Sequence, residues 1–126
     1  MQNAINNLLQ GIDTVIIRVS NFTVSKEWNM EKLGFSVLFE DANMQLAVLD
    51  TQSGVSLTIW GTQQAIVVNK DTASYPIFKT PDAAALRQEL VNRGVKADEI
   101  IEDAYTKYFM FYDPDGNVLE ACQVHD

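Results

Sequence analysis

At 126 residues, with 47% hydrophobic and 10% aromatic residues, the chain is long enough for one compact domain with a real core, and its composition excludes general disorder. A formal net charge of −8 and a pI near 4.4 oppose nucleic acid and anionic membrane surfaces; a neutral or cationic small molecule is the partner that the electrostatics favour. The single cysteine, Cys122, allows no intramolecular disulfide, CxxC redox motif or Cys-rich zinc site, so the expected compartment is a reducing cytoplasm. "MQNAINNLLQ" has neither a positive n-region nor a long apolar h-region, and no apolar run approaches the roughly 20 residues that span a bilayer.

Taken in chain order, "GIDTVIIRVS" is β-branched and predicts a strand over about Asp13 to Val19. A helix follows, capped by Asn21 or Thr23 and ended by Gly34 in "EKLGF" at a left-handed position. "SVLFE", "MQLAVLD" and "VSLTIWG" predict three strands, separated by "DAN" and by "TQSG", where Gly54 is the residue expected at positive φ. Residues 62–73 contain "AIVV", which could form an edge strand, but polar surroundings favour a linker. "YPIFKT" predicts a strand. "TPDAAALRQELVNRG" predicts a helix with Thr80 at the N-cap, Pro81 at N1 and Gly94 at its close. "EIIEDA", "KYFMFY" and "NVLEAC" complete the set, and "DPDG" predicts a type I turn.

The halves repeat. "TVIIRVSN" from Thr14 aligns with "YPIFKTPD" from Tyr75, "KLGF" with "NRGV", and "GVSLT" from Gly54 with "GNVLE" from Gly116, at offsets of 60 to 62. A nearly constant offset predicts a duplicated β-α-β-β-β module within one domain over 1–126, with modules at about 11–61 and 74–124 joined by 62–73. The fold class is α+β: two tandem modules whose curved sheets enclose a cleft, each with one helix on its outer face.

"FYDPDGNVLEAC" (111–122) is the most specific stretch, and it resembles the final hairpin of the vicinal oxygen chelate superfamily, with its Asp-Pro-Asp-Gly-Asn turn and following Glu. That superfamily includes glyoxalase I, extradiol dioxygenases, fosfomycin-resistance enzymes and bleomycin-resistance binding proteins. "VSN", "FKTPD" and "EKLGF" are similar to its strand-to-helix junctions and first helix end; the resemblance spans about Gly11 to Gln123 and implies the glyoxalase/bleomycin resistance fold. Its metal enzymes take ligands from four equivalent places, which fall here on Thr14, Thr58, Tyr75 and Glu120. Only Glu120 matches. Divalent Lewis-acid sites need about three or four converging imidazole or carboxylate donors, so no metal and no cofactor are expected. The lone histidine, His125, reads as an exposed tail residue.

Strand alternation assigns a cleft face to Val118, Glu120 and Cys122, to Ser56, Thr58 and Trp60, to Thr14, Ile16 and Arg18, and to Tyr75, Ile77 and Lys79; Tyr108, Met110 and Tyr112 share that side. The candidate ligand-binding residues are Thr14, Arg18, Thr58, Trp60, Tyr75, Lys79, Met110 and Glu120. Glu120 faces a ligand, pairs with Arg18 or Lys79, or is half-solvated. Trp60 is a packing or a binding residue, Trp28 is core, and Cys122 is a small hydrophobe without a histidine base beside it.

Two functions fit these residues. One is a metal-free module that binds an amphipathic or cationic aromatic compound, as the bleomycin-resistance resemblance implies. The other is a lyase or isomerase with Glu120 as general base and Tyr75 or Arg18 stabilising an enolate. The family's habit of sharing clefts between chains, and the open sheet edges, imply a homodimer.

Overall fold

The computed structural model describes residues 5–125. The reading of the first ten residues as free of a targeting segment falls partly outside them. No described helix is long and apolar enough to cross a membrane.

A short helix α1 (Ile5–Leu8) precedes β1 (Thr14–Val19), α2 (Phe22–Leu33), β2 (Ser36–Asp41), β3 (Leu46–Asp50) and β4 (Ser56–Gly61). The second half contains β5 (Ile77–Lys79), α3 (Ala83–Asn92), β6 (Lys96–Ala97), β7 (Ile101–Glu102), β8 (Thr106–Tyr112) and β9 (Val118–Val124). The first sheet runs β1-β4-β3-β2; the second runs β5-β9-β8-β6, with β7 also on β8. In each half the leading strand lies parallel to the last one. Ile16 pairs with Thr58 in the first sheet, and Ile77 with Glu120 in the second. These positions are related by offsets of 61 and 62, so the duplication extends to hydrogen-bond register.

Local chemistry sets most boundaries. Asn21 caps α2 by accepting from Val24 N at 3.1 Å, and Gly34 ends it at φ 74°. The α3 cap differs from expectation. Asp82 accepts from Ala85 N at 3.0 Å, Pro81 precedes the cap, and Thr80 Oγ1 accepts from Asp82 N at 3.2 Å. A carboxylate held there also meets the positive end of the helix dipole, which a hydroxyl cannot match. In the 51–55 loop the left-handed residue is Gln52, at φ 63°, rather than Gly54. Its N–H donates to Asp50 Oδ1 at 2.7 Å, a local bond that offsets the strain. Residues 62–73 form no strand. The "EIIEDA" strand shrinks to two residues at β7, and β6, unforeseen, supplies the rest of the pairing with β8. Between them Asp98 N still donates to Met110 O at 2.8 Å.

Helix-facing side chains make two cores. Val19, Phe22, Ala47, Leu49, Leu57 and Ile59 form the first, while Ala83, Leu90, Val95, Phe109, Phe111, Leu119 and Ala121 form the second. Ile17 and Phe78, equivalent positions at an offset of 61, touch both. Trp28 is a core residue as expected, but it packs against the second module's cluster. Apolar burial at about 25 cal/mol per Å² thus works across the seam between modules as well as within each.

A turn clasps the seam at one end. Gly116 N donates to Asp113 O at 2.9 Å, closing the turn, and buried Asp113 accepts from Asp115 N, Asn117 N and Asn117 Nδ2 at 2.8–2.9 Å. This fixes the turn so that Asp115 accepts from Ser20 N at 3.0 Å and from Ser20 Oγ, while Asn117 Nδ2 donates to Arg18 O at 3.0 Å.

Candidate functional site

Cross-strand register builds two equivalent rows on the sheet faces turned away from the helices. In the first sheet the row is Phe39–Val48–Thr58–Ile16; in the second it is Met110–Glu120–Ile77. Phe39 enters its row through a register shift between Val37 and Phe39. Val37 packs in the core. Past the shift, Phe39 faces out beside Val48, and Glu40 faces the helix, where it accepts from Lys26 Nζ at 2.9 Å. Simple alternation cannot reveal Phe39, because counted from Val37 it falls at core parity and Glu40 at solvent parity, and only the bulge inverts that pattern.

In the first row Thr58 is buried at 3% exposure. Thr14 Oγ1 donates to Ser56 O at 3.1 Å, which commits its only proton, so Thr58 Oγ1 donates to Thr14 Oγ1 at 2.8 Å. Thr14 and Thr58 are therefore brought together and satisfied. Two residue pairs further along, on the same face, the Arg18 guanidinium lies 4.2 Å from the Trp60 ring centroid. Its Nε donates to Trp60 O and its Nη2 to Gly61 O, each at 3.1 Å. A Cβ at Gly61 would come within 2.7 Å of Gln45 Oε1 and 3.1 Å of Gln45 Cβ, so a larger residue there would have to displace the Gln45 side chain.

In the second row Glu120 is 7% exposed, and its carboxylate has no hydrogen-bond or ion-pair partner among the described residues. Burial raises its pKa above the ordinary 4.5. The expected pairing with Arg18 or Lys79 is not made, since Arg18 is spent on Trp60 and exposed Lys79 sits in register with Cys122. Tyr75 lies just before β5, where Pro76 O accepts from Glu120 N at 3.2 Å. Met110 is directly opposite Glu120. Cys122 is half-buried and free. At the far edge, Tyr112 donates to Asp98 Oδ2 at 2.5 Å, and its pKa is pushed up to about 12, first by burial and then by that carboxylate.

His125 corrects its reading as an exposed tail residue: its Nε2 lies 3.3 Å from Glu102 Oε2, and its N–H donates to Tyr105 O. Asp113 is also buried, which raises its pKa, although its accepted hydrogen bonds act the other way.

The four positions at which the resemblance implies metal ligands offer two mutually bonded hydroxyls, a phenol and one carboxylate. That donor set does not fit a divalent metal. Among the described residues no three His, Cys, Asp or Glu side chains gather where they could hold one.

The profile of the Glyoxalase/Bleomycin resistance protein/Dioxygenase superfamily matches residues 11–121. The chain belongs to this superfamily. No curated protein matches its sequence. Among solved structures it is similar to the glyoxalase family protein from Enterococcus faecalis, at 26% identity and TM-score 0.75 over 92% of this chain and 99% of that one. TnmS3, an antibiotic-binding protein from Streptomyces sp. CB03234, shares 22% identity at TM-score 0.73, covering 93% and 98%. The fosfomycin resistance protein FosX from Listeria monocytogenes shares the fold at 10% identity and TM-score 0.76, covering 91% and 93%. Superfamily membership establishes the fold and leaves the chemistry to the site.

Proposed function

We propose that this superfamily member is a metal-independent, cytoplasmic small-molecule-binding protein that takes an amphipathic or cationic aromatic compound on the sheet faces carrying Glu120, Trp60 and Met110. The observation that supports it is the buried, unpartnered Glu120 carboxylate in an otherwise apolar row. Its oxygens keep slight solvent contact, so the cost is a fraction of the roughly 1–3 kcal/mol of a fully buried orphan, and a ligand amine or hydroxyl that displaces that solvent would complete the carboxylate's hydrogen bonding. The antibiotic-binding activity in the name of TnmS3 is consistent with this kind of role. Homodimerisation completes the proposal: Ile16, Phe39 and Ile77 on these faces are 50–58% exposed, more apolar surface than a lone sheet face needs.

A second reading has its own observation. A carboxylate whose pKa is raised by burial is a stronger base than an ordinary one, so Glu120 could abstract a proton in a lyase or isomerase, with Tyr75 as the enolate partner, since the Arg18 guanidinium is engaged by Trp60. A thermal-shift panel of cationic, neutral and anionic aromatic compounds, followed by titration and product analysis of each binder, separates the readings. Binding favours cations and donors and weakens about tenfold in Glu120→Gln. Conversion of a bound compound that Glu120→Gln stops, with binding retained, selects the enzyme. A preference for anions, or binding indifferent to Glu120→Gln, defeats both. Light scattering that finds a monomer at micromolar concentration defeats the dimer.

A further inference from the structure

The 113–117 turn clasps one end of the seam between the modules; the other end lacks that clasp, is bridged by Arg93 Nη1 to the carbonyl oxygens of Glu31 and Lys32, and holds a cavity of about 1030 Å³. Its walls are mainly helix-side residues from both modules, among them Leu33, Phe35, Leu57, Phe78, Leu86 and Phe111. Ser56, Ile77 and Lys79 of the sheet-face rows border it. Thr14, Thr58, Trp60 and Glu120 are not among its lining residues. Tilted ring pairs form an aromatic run along it: Phe35–Phe78 at 5.6 Å and Phe78–Phe111 at 6.3 Å between centroids. The size is that of a cleft for a drug-sized ligand.

Sequence explains why this end lacks the clasp. At offsets of 61 and 62, Ser53 stands for Asp115, Val55 for Asn117, Pro81 for Ser20 and Lys79 for Arg18. Val55 has no side-chain donor and Pro81 no N–H, so neither clasp bond can form. The loop bonds inward instead: Thr51 Oγ1 donates to Val55 O at 2.6 Å, and Ser53 Oγ donates to the same oxygen at 3.0 Å.

The charges at the rim run against the rest of the molecule. The chain has 9 Lys and Arg against 17 Asp and Glu, yet Lys32, Lys79 and Arg93 line this cavity with Glu89 as its only acid. Arg93 is spent: its Nε donates to Glu89 Oε1 at 3.0 Å, and its Nη1 donates to the carbonyl oxygens of Glu31 and Lys32. That pair cancels. Lys32 and Lys79 have no ion pair among the described residues. An apolar chamber with two unpaired ammonium groups at its rim suits an anion attached to a hydrocarbon or aryl body.

We propose that this inter-module cavity is a second ligand site, which borders the Glu120 row at Ile77 without including the Glu120 carboxylate, and that it takes an amphipathic monocarboxylate, with the carboxylate between Lys32 and Lys79 and the apolar body against Phe35, Phe78 and Leu86. Calorimetric titration with decanoate and with decyltrimethylammonium, two amphiphiles with the same chain length and opposite charge, tests it on the intact protein. Decanoate binds at least about tenfold tighter than the cation, and Lys32→Glu and Lys79→Glu each weaken it by about that factor. Leu86→Trp, which fills the chamber, abolishes binding, while Glu120→Gln leaves it unchanged. The two lysine variants alter exposed or half-exposed groups, so they remain informative if Leu86→Trp fails to fold. Equal binding of the two amphiphiles, indifference to both lysine variants, survival of binding in a folded Leu86→Trp, or loss of binding in Glu120→Gln overturns the proposal. So does decanoate binding seen only where light scattering shows a dimer dissociating, because the cavity would then be the seat of a second copy.

Discussion

At one end of the seam between the modules, the 113–117 turn reaches across to Ser20 and Arg18; at the other, the equivalent 51–55 loop bonds to itself. Both loops descend from the same position in the repeat, and both follow a strand that ends beside the partner module. The loops differ at three clasp positions and in backbone, where Gln52 is left-handed in one and Gly116 in the other. A carboxylate and a carboxamide can span a gap that a hydroxymethyl and an isopropyl group cannot, and a serine N–H can receive them where a proline cannot. A duplicated fold therefore need not have two equivalent clefts: the clasped end supplies rigidity, and the unclasped end leaves room for a ligand.

The largest expected effect comes from converting the clasped end into the unclasped one. Asp115→Ala combined with Asn117→Val removes the bonds to Ser20 and Arg18 and one of the donors to Asp113, and is expected to lower stability by about 3 kcal/mol, read as a shift in the urea midpoint. A loss below about 0.5 kcal/mol would mean that the cores bridged by Ile17 and Phe78 hold the seam without the clasp.

The reverse change sharpens the comparison. Ser53→Asp, Val55→Asn and Pro81→Ser together give the unclasped end the residues of the clasped one. We expect a gain of about 1 kcal/mol in urea unfolding, smaller than the loss above because Pro81→Ser loosens the unfolded chain. If the triple variant is no more stable, the different backbone path, with Gln52 left-handed at φ 63°, keeps the new side chains from reaching across.

The smallest effect concerns Glu120 and the two equivalent sheet rows. Thr58 at the matching place is satisfied by Thr14, whereas Glu120 has no such neighbour. Because its folded-state pKa lies above the ordinary 4.5, the folded chain binds the proton more tightly than the unfolded one. The stabilisation from that proton is complete below the ordinary value and is lost as pH rises through the raised folded value. Glu120→Gln should remove this part of the pH profile and raise stability at neutral pH by about 0.5 kcal/mol. Urea midpoints of both proteins between acid and neutral pH check it. A difference that does not change across the range would mean that the carboxylate finds a partner in solution.

Much of the fold is legible in one dimension because it follows from short-range rules. Asn21 and Gly34 bound α2 by capping and left-handed geometry, the Asp-Pro-Asp-Gly turn closes as its residues dictate, and period-2 alternation assigns Leu119 and Ala121 to the core and Glu120 to the opposite face. Where a competing long-range contact intervenes, the local reading fails. Phe39 is turned outward by a bulge, β6 forms because β8 offers it a partner, and Asp82 displaces Thr80 as the α3 cap. The same holds for the charges. Arg18 has the parity to meet Glu120, but Trp60 is its cross-strand neighbour and takes the guanidinium.

The sequence by itself determined the duplication, the superfamily, the two sheet faces and the mismatch between Thr14, Thr58 and Tyr75 and a metal's ligands, because each depends on residue type and spacing along the chain. Tertiary structure alone decided that Glu120 is left without a partner, that Trp28 serves the other module's core, and that one end of the seam is clasped while the other opens into a cavity. Those outcomes depend on which groups meet at sequence separations as large as 99, as Arg18 and Asn117 do, and spacing along a chain does not encode the closing of two sheets upon each other.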